Sequence, residues 1–228
     1  MTTRGGWHAG QAKQNPDLFR AVFDFNRRPQ HWVHPAVLQT LPHAAVVTAL
    51  AGSYHGAGHL AGWLLKQLNL TEVEGCWDFE EPRRRLFLLS HATLERLARF
   101  CGATLHWPRI AASIGRVEIA DIKGTLGEDA HSFALRRGRM LVPETEAAPM
   151  ASGLSTAQQC LQTGWQLIAT TLTGDEDTVR RRLWLKLPPG LAETLPATAL
   201  PETRERAWQR VRKISPHVLT EGELKCFA

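Results

Sequence analysis

The sequence predicts an all-α or mainly α protein, a single compact helical domain built from short and medium helices. Three long stretches repeat apolar residues at intervals of three to five positions, which is the spacing of one face of an α-helix. These stretches are 82–105, 155–172 and 202–214. Strict alternation of apolar and polar residues, the pattern of a half-buried strand, is confined to brief segments such as 183–187.

The stretch 82–105 is the longest, and we expect the other helices to pack around it. Its Leu and Phe residues fall on one side and its Arg and Glu residues mainly on the other. Ser90 is suited to cap a second helix at His91, because a serine hydroxyl can accept a hydrogen bond from a helix start. Gly102 is predicted to end that helix, since glycine readily takes the left-handed conformation of a helix C-terminus.

The residues before this stretch are predicted to be a flexible leader, 1–24, followed by short helices. The leader lacks the apolar core of a secretory signal. The pattern of Leu18–Asn26 fits either a short amphipathic helix or an extended docking segment. Prolines and glycines then separate short helices at 35–41, 44–51 and 59–68. We interpret 70–82 as a loop.

Beyond the central stretch, the single domain is predicted to run on to the last residue, spanning 25–228. Short helices are expected at 108–114, 117–126 and 129–137. The segment 140–153 contains two prolines and is the best candidate for an internal linker, which would leave 154–228 as a C-terminal helical part. The last helices are expected at 155–172, 175–187 and 202–214.

Composition limits the class of protein and its partners. The four cysteines are widely spaced and form no CxxC pair, so neither a zinc site nor a disulfide framework is indicated, and a cytoplasmic location is favoured. The net charge of +5 and the pI near 9.3 suit an acidic protein, a nucleic acid or an anionic lipid surface. The segment 32–65 has no charged residue apart from histidine, but its glycines and prolines argue against a membrane span.

A search for catalytic chemistry finds no strong motif. His55 and His59 have the spacing of a helical metal pair, but two glycines lie between them and no glutamate adjoins them, so turn or surface histidines are the simpler interpretation. Neither a phosphate-binding glycine loop nor a GxSxG element is present. We therefore expect no catalytic residue, cofactor site or metal site. A helical hydrolase whose site is assembled by folding stays open as a weaker alternative.

Clusters of arginine offer the best candidates for binding another protein. Most such clusters are solvated helix faces, yet arginine and tryptophan are enriched at protein interfaces. We single out those that lie beside aromatic residues or follow an acidic helix start. The candidates are Trp77, Phe79, Arg83, Arg84, Arg85, Arg180, Arg181 and Arg182. A basic nucleic-acid-binding regulatory protein is the alternative, although no zinc finger, aromatic RNA motif or helix-turn-helix accompanies the arginines.

The order of several segments carries a resemblance to a known family. The segments are FNRRPQHWVHP, HLAGWLLKQLNL followed by CWDFEEP, LFLLSHATLERLARFCGATLHWPRIAASI and TGWQLIATTLTGDEDTVRRRLWLKLPPG. The most specific part is a leucine-rich helix followed by G-x-x-L-H, which Gly102, Leu105 and His106 occupy here. In this order the chain resembles the SctK (YscK/PscK) family of type III secretion systems, or injectisomes.

The resemblance implies a non-enzymatic adaptor of the cytoplasmic sorting platform, with a mostly helical fold and no cofactor. Its expected partners are the cytoplasmic domain of an SctD-like inner-membrane ring protein and an SctQ-like pod protein. Through the pod it would reach an SctL-like stator and an SctN-like ATPase indirectly. The expected location is cytoplasmic and peripheral to the inner membrane, with no nucleic-acid partner and no membrane span.

Overall fold

The computed structural model describes residues 15–53, 55–71, 75–148, 153–172, 177–194 and 202–224. These residues form helices, and no strand occurs among them, so the mainly α prediction is confirmed. The α-helices are α1 (Pro16–Arg27), α2 (Pro35–Gln39), α3 (Ala44–Ala51), α4 (Ala57–Gln67), α5 (His91–Leu105), α6 (Trp107–Ala112), α7 (Arg116–Leu126), α8 (Glu128–Leu141), α9 (Thr156–Thr170), α10 (Asp177–Trp184), α11 (Pro189–Thr194), α12 (Arg204–Ile214) and α13 (Glu221–Leu224). Short 3-10 helices are formed by Pro29–His31, Pro82–Leu88, Glu144–Glu146 and Ser215–His217.

The chain divides into two compact units, and each contains segments that are distant in sequence. The first unit comprises Met1–His91 and Asp175–Glu193, and the second comprises Ala92–Gly174 and Thr194–Ala228. The candidate linker 140–153 falls inside the second unit. Its first residues continue α8, and Ala148 donates a backbone hydrogen bond of 3.0 Å to the carbonyl oxygen of Leu105.

The first helix begins within the segment that the sequence predicts to be a leader. Residues 1–14 lie outside the described residues, but α1 starts at Pro16, where the fixed φ of proline suits the first helical turn. The side chain of Asn15 accepts a 3.0 Å hydrogen bond from the amide of Leu18, which caps the helix. Leu18, Val22 and Phe25 are buried, so the amphipathic helix is the alternative that the structure adopts.

The core of the first unit is built around the ring of Phe25. Its centroid lies 5.1 Å from that of Trp32 and 5.7 Å from that of Phe79, the latter in an edge-on arrangement. Such pairs add about 1 kcal/mol each to the stabilisation that burial provides. The buried ring of Phe79 therefore anchors the described part of the segment 70–82 to the core of this unit.

In the second unit the helices pack as an array around α9. This helix contacts α7 and α12, and α6 contacts α8. A capping box starts α9: the Ser155 hydroxyl accepts from the amide of Gln158, and the Gln158 side chain accepts from the amide of Ser155. The sequence signal Ser-x-x-Gln before an apolar run therefore marks a true helix start.

The stretch 82–105 is not one continuous helix. It consists of the 3-10 helix Pro82–Leu88 and then α5, which starts at His91 as the serine signal predicts. The prediction that Gly102 ends this helix is wrong, because α5 continues to Leu105. The physical reason is packing: Gly102 is buried, and a Cβ at this position would collide with the backbone of Cys160 in α9.

The region 188–201 holds a helix that the sequence analysis misses. No helix is expected from the sequence between 187 and 202, whereas Pro189–Thr194 forms α11. A proline in the first turn is compatible with a helix because the first amides have no partner within the helix. Pro189 was a possible signal of a helix start, but Gly190 follows it and six residues are too few for a periodic pattern.

Candidate functional site

Phe79 lies in the core of the first unit and is not a surface contact. Its side chain has 0% exposure, and its ring packs edge-on against Phe25. The prediction that Phe79 meets a partner is therefore wrong for the folded chain, since a fully buried ring has no area to offer. Trp77 is half-buried, and its indole nitrogen lies beside Gly75.

The three arginines that follow hold the surrounding loop together. Arg83 is only 5% exposed and pairs with Glu81 at 2.5 Å. Arg84 pairs with Asp78 at 2.5 Å, and Nε of Arg85 donates a 2.9 Å hydrogen bond to the carbonyl oxygen of Phe79. These contacts are local, so the basic run serves the fold of 78–85, and Arg83 is too buried to meet a partner.

Within the second predicted cluster the arginines separate by exposure. Arg180 and Arg181 are exposed, whereas Arg182 is only 1% exposed and its guanidinium carbon lies 6.0 Å from the centroid of the Phe25 ring. Including Arg182 in a docking surface is therefore wrong. Residues 180 and 181 stay candidates, and 182 belongs to the core because α10 turns that position inward.

A second buried cation, Lys186, lies beside the same rings. Its Nζ donates hydrogen bonds to the carbonyl oxygens of Phe87 and Leu89, the latter at 2.7 Å. The Nζ atom also lies 5.3 Å from the centroid of the Phe25 ring. Burial lowers the pKa of Lys186 to about 7. Lys186 thus ties the end of the 3-10 helix Pro82–Leu88 to the segment after α10.

A buried histidine has a comparable structural role in the second unit. A hydrogen bond of 2.9 Å joins Nε2 of His106 to Oγ1 of Thr163 in α9. Burial lowers the pKa of His106 to about 4, which keeps the imidazole neutral at pH 7. His106 is the last residue of the G-x-x-L-H element, so this element joins α5 to α9.

The second unit also carries an open groove of about 360 Å³ on its surface. Three segments form it: one turn of α5, one face of α8 and the 3-10 helix Ser215–His217. The lining residues are Arg96, Phe100, Asp129, Ser132, Phe133, Arg136, Arg137 and His217. We refer to this set as the basic groove.

The floor of the basic groove is aromatic. The Phe133 centroid lies 5.1 Å from that of Phe100 and 5.2 Å from the imidazole centroid of His217, with interplanar angles of 49° and 48°. Phe100 is buried, and Phe133 is half-buried. The rings are therefore held by one another and offer a firm apolar surface between the charged side chains.

The charges of the basic groove are predominantly positive. Arg96 lies 3.9 Å from Asp129 and 5.9 Å from the centroid of Phe100, so its charge is partly balanced. Arg136 and Arg137 are exposed, and neither forms an ion pair with a residue that the structure describes. Two guanidinium groups are thus available to an acidic ligand.

The groove residues were not predicted as a site from the sequence, although part of the signal is visible there. Arg96 and Phe100 are four residues apart and share a helix face, as do Phe133 and Arg137. The pattern does not reveal which two faces meet. His217 could not have been found, because it lies more than 75 residues from the nearest other lining residue.

A different concavity, of about 280 Å³, lies in the first unit between α3 and α4. It is almost entirely apolar and is lined by His43, Val46, Val47, Leu50, His59, Leu60 and Trp63. His43 adopts φ 60°, a left-handed conformation that is uncommon for a residue other than glycine. His59, one of the two histidines at the spacing of a metal pair, lies beside apolar side chains.

Two classes of feature are not seen among the residues for which the structure gives positions. No three His, Cys, Asp or Glu side chains there gather as metal ligands would. None of the described helices combines the length and apolar character that crossing a membrane demands.

Comparison with known proteins supplies the family. The family model of YOP proteins translocation protein K (YscK) matches residues 20–227 of the chain. No curated protein and no solved structure matches the chain. The family match extends over nearly the whole sequence and includes both buried anchors, Lys186 and His106, and the basic groove. The chain therefore belongs to the YscK family of type III secretion proteins, which confirms the resemblance seen in its sequence.

Proposed function

We propose that this YscK-family protein is a non-enzymatic adaptor of the type III secretion sorting platform. In this role it links the cytoplasmic domain of an SctD-like inner-membrane ring protein to an SctQ-like pod protein. The observation that carries the proposal is the family match over residues 20–227. The corresponding location is the cytoplasmic side of the inner membrane, at the base of the secretion apparatus.

The chemistry of the described residues supports an adaptor rather than an enzyme. The two side chains whose pKa values fall most, Lys186 and His106, are each engaged in holding helices together. The thiols of Cys101 and Cys160 are buried, and burial raises the pKa of each, so neither is an activated nucleophile. The buried lysine and histidine therefore have structural tasks, and the two buried thiols are not activated for attack.

An adaptor needs more than one surface that another protein can use. The basic groove in the second unit and the apolar concavity in the first unit differ in chemistry. Aromatic and arginine side chains at the groove are the types that carry most binding energy at protein interfaces. These surfaces are consistent with two unlike partners.

The test is reconstitution with purified components. The tagged full-length chain is mixed with the SctD-like cytoplasmic domain, with the SctQ-like pod protein, and with both. We expect a binary complex with each partner and a ternary complex when both are present. An SctL-like stator and an SctN-like ATPase should join only when the pod protein is included. Failure of the chain to bind either the ring domain or the pod protein would remove the proposed function.

A further inference from the structure

We propose that the basic groove docks an acidic segment of a partner protein, with carboxylates at Arg136 and Arg137 and an apolar side chain over Phe133. This inference rests on the proposed adaptor function and names the surface and the chemistry of one partner. In the groove, exposed arginines border an aromatic floor.

Two exposed arginines supply positive charge at the edge of the groove. Arg136 and Arg137 project from consecutive positions of α8 beside the groove, and each guanidinium presents several donors that match the two oxygens of a carboxylate. Neither arginine forms an ion pair with a carboxylate of the described residues. By contrast, Arg99 pairs with Glu95 and Arg206 pairs with Glu146. The donors of Arg136 and Arg137 are therefore not engaged by a carboxylate of the described residues.

The aromatic floor of the basic groove is preorganised. Phe133 contacts Phe100 from α5 and His217 from the C-terminal 3-10 helix, so residues from three segments fix its position. Loss of side-chain freedom on binding opposes association, and a ring already held in place avoids most of that loss. An apolar side chain of the partner can thus pack on Phe133 while flanking carboxylates reach the arginines.

The basic groove suits a protein ligand better than single-stranded nucleic acid. Stacking of bases requires aromatic faces that are open to solvent. Here Phe100 is buried, so the open aromatic surface is limited to the half-buried ring of Phe133 and the imidazole of His217. That surface is enough for one apolar side chain of a partner but short for a run of stacked bases. Asp129 also lies in the groove, 3.9 Å from Arg96, and can accept a hydrogen bond from a peptide amide. The arrangement favours a polypeptide of mixed acidic and apolar character.

The test is a charge series measured by calorimetric titration with the SctD-like cytoplasmic domain and the SctQ-like pod protein. Three double variants replace Arg136 and Arg137 with Lys, Gln or Glu. The matched control is Arg20→Glu with Arg27→Glu, two exposed arginines of α1 whose replacement makes the same change in net charge. Circular dichroism and thermal unfolding establish that each variant is folded.

We expect one partner to lose affinity in the order Lys, Gln, Glu, with a loss of roughly tenfold or more for the Gln variant. The other partner and the control variant should keep wild-type affinity. Phe133→Leu should weaken the same partner without changing the dependence of affinity on salt. This pattern would support docking of an acidic segment in the groove.

Other outcomes separate failure of the inference from failure of the function. If both partners bind the Glu variant as tightly as the wild type, the groove is not the docking site and the adaptor function stands. If neither partner binds the wild type, the function fails and the inference fails with it. A fluorescein-labelled 20-nucleotide single-stranded DNA is titrated in parallel. Binding of this DNA that requires Arg136 and Arg137, with both partners unaffected, would overturn the proposal in favour of nucleic acid.

Discussion

Gly102 of α5 lies directly against the carbonyl group of Cys160 of α9. A Cβ added to Gly102 would lie 1.7 Å from that oxygen. The relation is reciprocal, because a Cβ added to Gly164 would lie 1.9 Å from the carbonyl oxygen of Ala98. The two helices therefore meet backbone to backbone, and glycine is required at both positions for close approach rather than for an unusual φ.

Alanine at Gly102 or Gly164 should destabilise the protein strongly. The obstructing atoms are main-chain oxygens, which cannot move without separating α5 from α9. We expect each substitution to lower the free energy of unfolding by about 3 kcal/mol, at the upper end of overpacking effects. Urea denaturation followed by circular dichroism measures the change.

The control for that experiment is Gly124→Ala in α7. Gly124 is also helical, but nothing lies within 4 Å of its added Cβ. Alanine should stabilise the protein there by about 0.5–1 kcal/mol because of its higher helix propensity. If Gly102→Ala changes the free energy of unfolding by no more than Gly124→Ala does, α5 and α9 are not in such close contact.

Stability should decline in mild acid because His106 is buried as a neutral imidazole. Its pKa in the folded state is about 4, below its ordinary value of 6.5, so the unfolded state binds more protons between these pH values. The free energy of unfolding should therefore fall as the pH drops from 6.5 to 4, by about 3 kcal/mol in total. Comparison of the wild type with His106→Asn across this range isolates the effect, because carboxylates titrate in both. If the free energy of unfolding depends on pH in the same way in both proteins, the pKa of His106 is not lowered in the folded state.

Near neutral pH, the buried Lys186 should also make the protein more stable as the pH rises. Burial lowers its pKa from 10.5 to about 7, so the unfolded state again binds more protons in between. The free energy of unfolding should rise with pH above 7, by up to about 1.4 kcal/mol per pH unit. The same measurement on Lys186→Met should show no such rise.

The useful range for this comparison is pH 7 to 8.5. Burial raises the pKa values of Cys101 and Cys160, so their thiols stay protonated in the folded state. Their ionisation in the unfolded state opposes the effect of lysine at higher pH. An identical pH dependence in the wild type and Lys186→Met would show that the ammonium is better solvated than its burial indicates.

Truncation of two neighbouring arginines in α10 should change the free energy of unfolding by very different amounts. Arg182→Ala removes a buried side chain packed on Phe25 and should lower the free energy of unfolding by about 2–4 kcal/mol. Arg181→Ala alters an exposed side chain and should change it by no more than about 0.5 kcal/mol. Thermal or chemical denaturation of both variants provides the comparison. Equal effects would mean that position 182 is not buried in solution.

The sequence predicts features that depend on neighbouring residues, but not those that depend on contacts between residues far apart in the chain. Helix starts such as Ser155 and the helical character of 44–51 and 59–68 come from local signals, namely capping residues and apolar spacing, and the structure bears them out. Gly102 carried the same local signal as a helix end, but a contact with a residue 58 positions away gives it a different role.

In the candidate site too, the sequence shows which residues are present, and only the fold shows which of them are exposed. The sequence contains Arg180, Arg181 and Arg182 as one basic run, and nothing local distinguishes them. Packing of α10 against Phe25 buries only the last, and the groove between α5 and α8 places Arg96 beside Phe133. Exposure is a property of the folded surface, so arginine clusters in a sequence do not reveal which members another molecule can reach.

The sequence by itself determined the helical class, most helix positions and the family, because spacing, capping and motif order are written along the chain. Only the tertiary structure decided which cations are buried, why Gly102 is a glycine and where the basic groove lies. The reason is that these features depend on contacts between segments far apart in the chain, such as Lys186 with Leu89 and Phe133 with His217. Such contacts form when helices bury their apolar faces together, and no local pattern encodes which faces will meet.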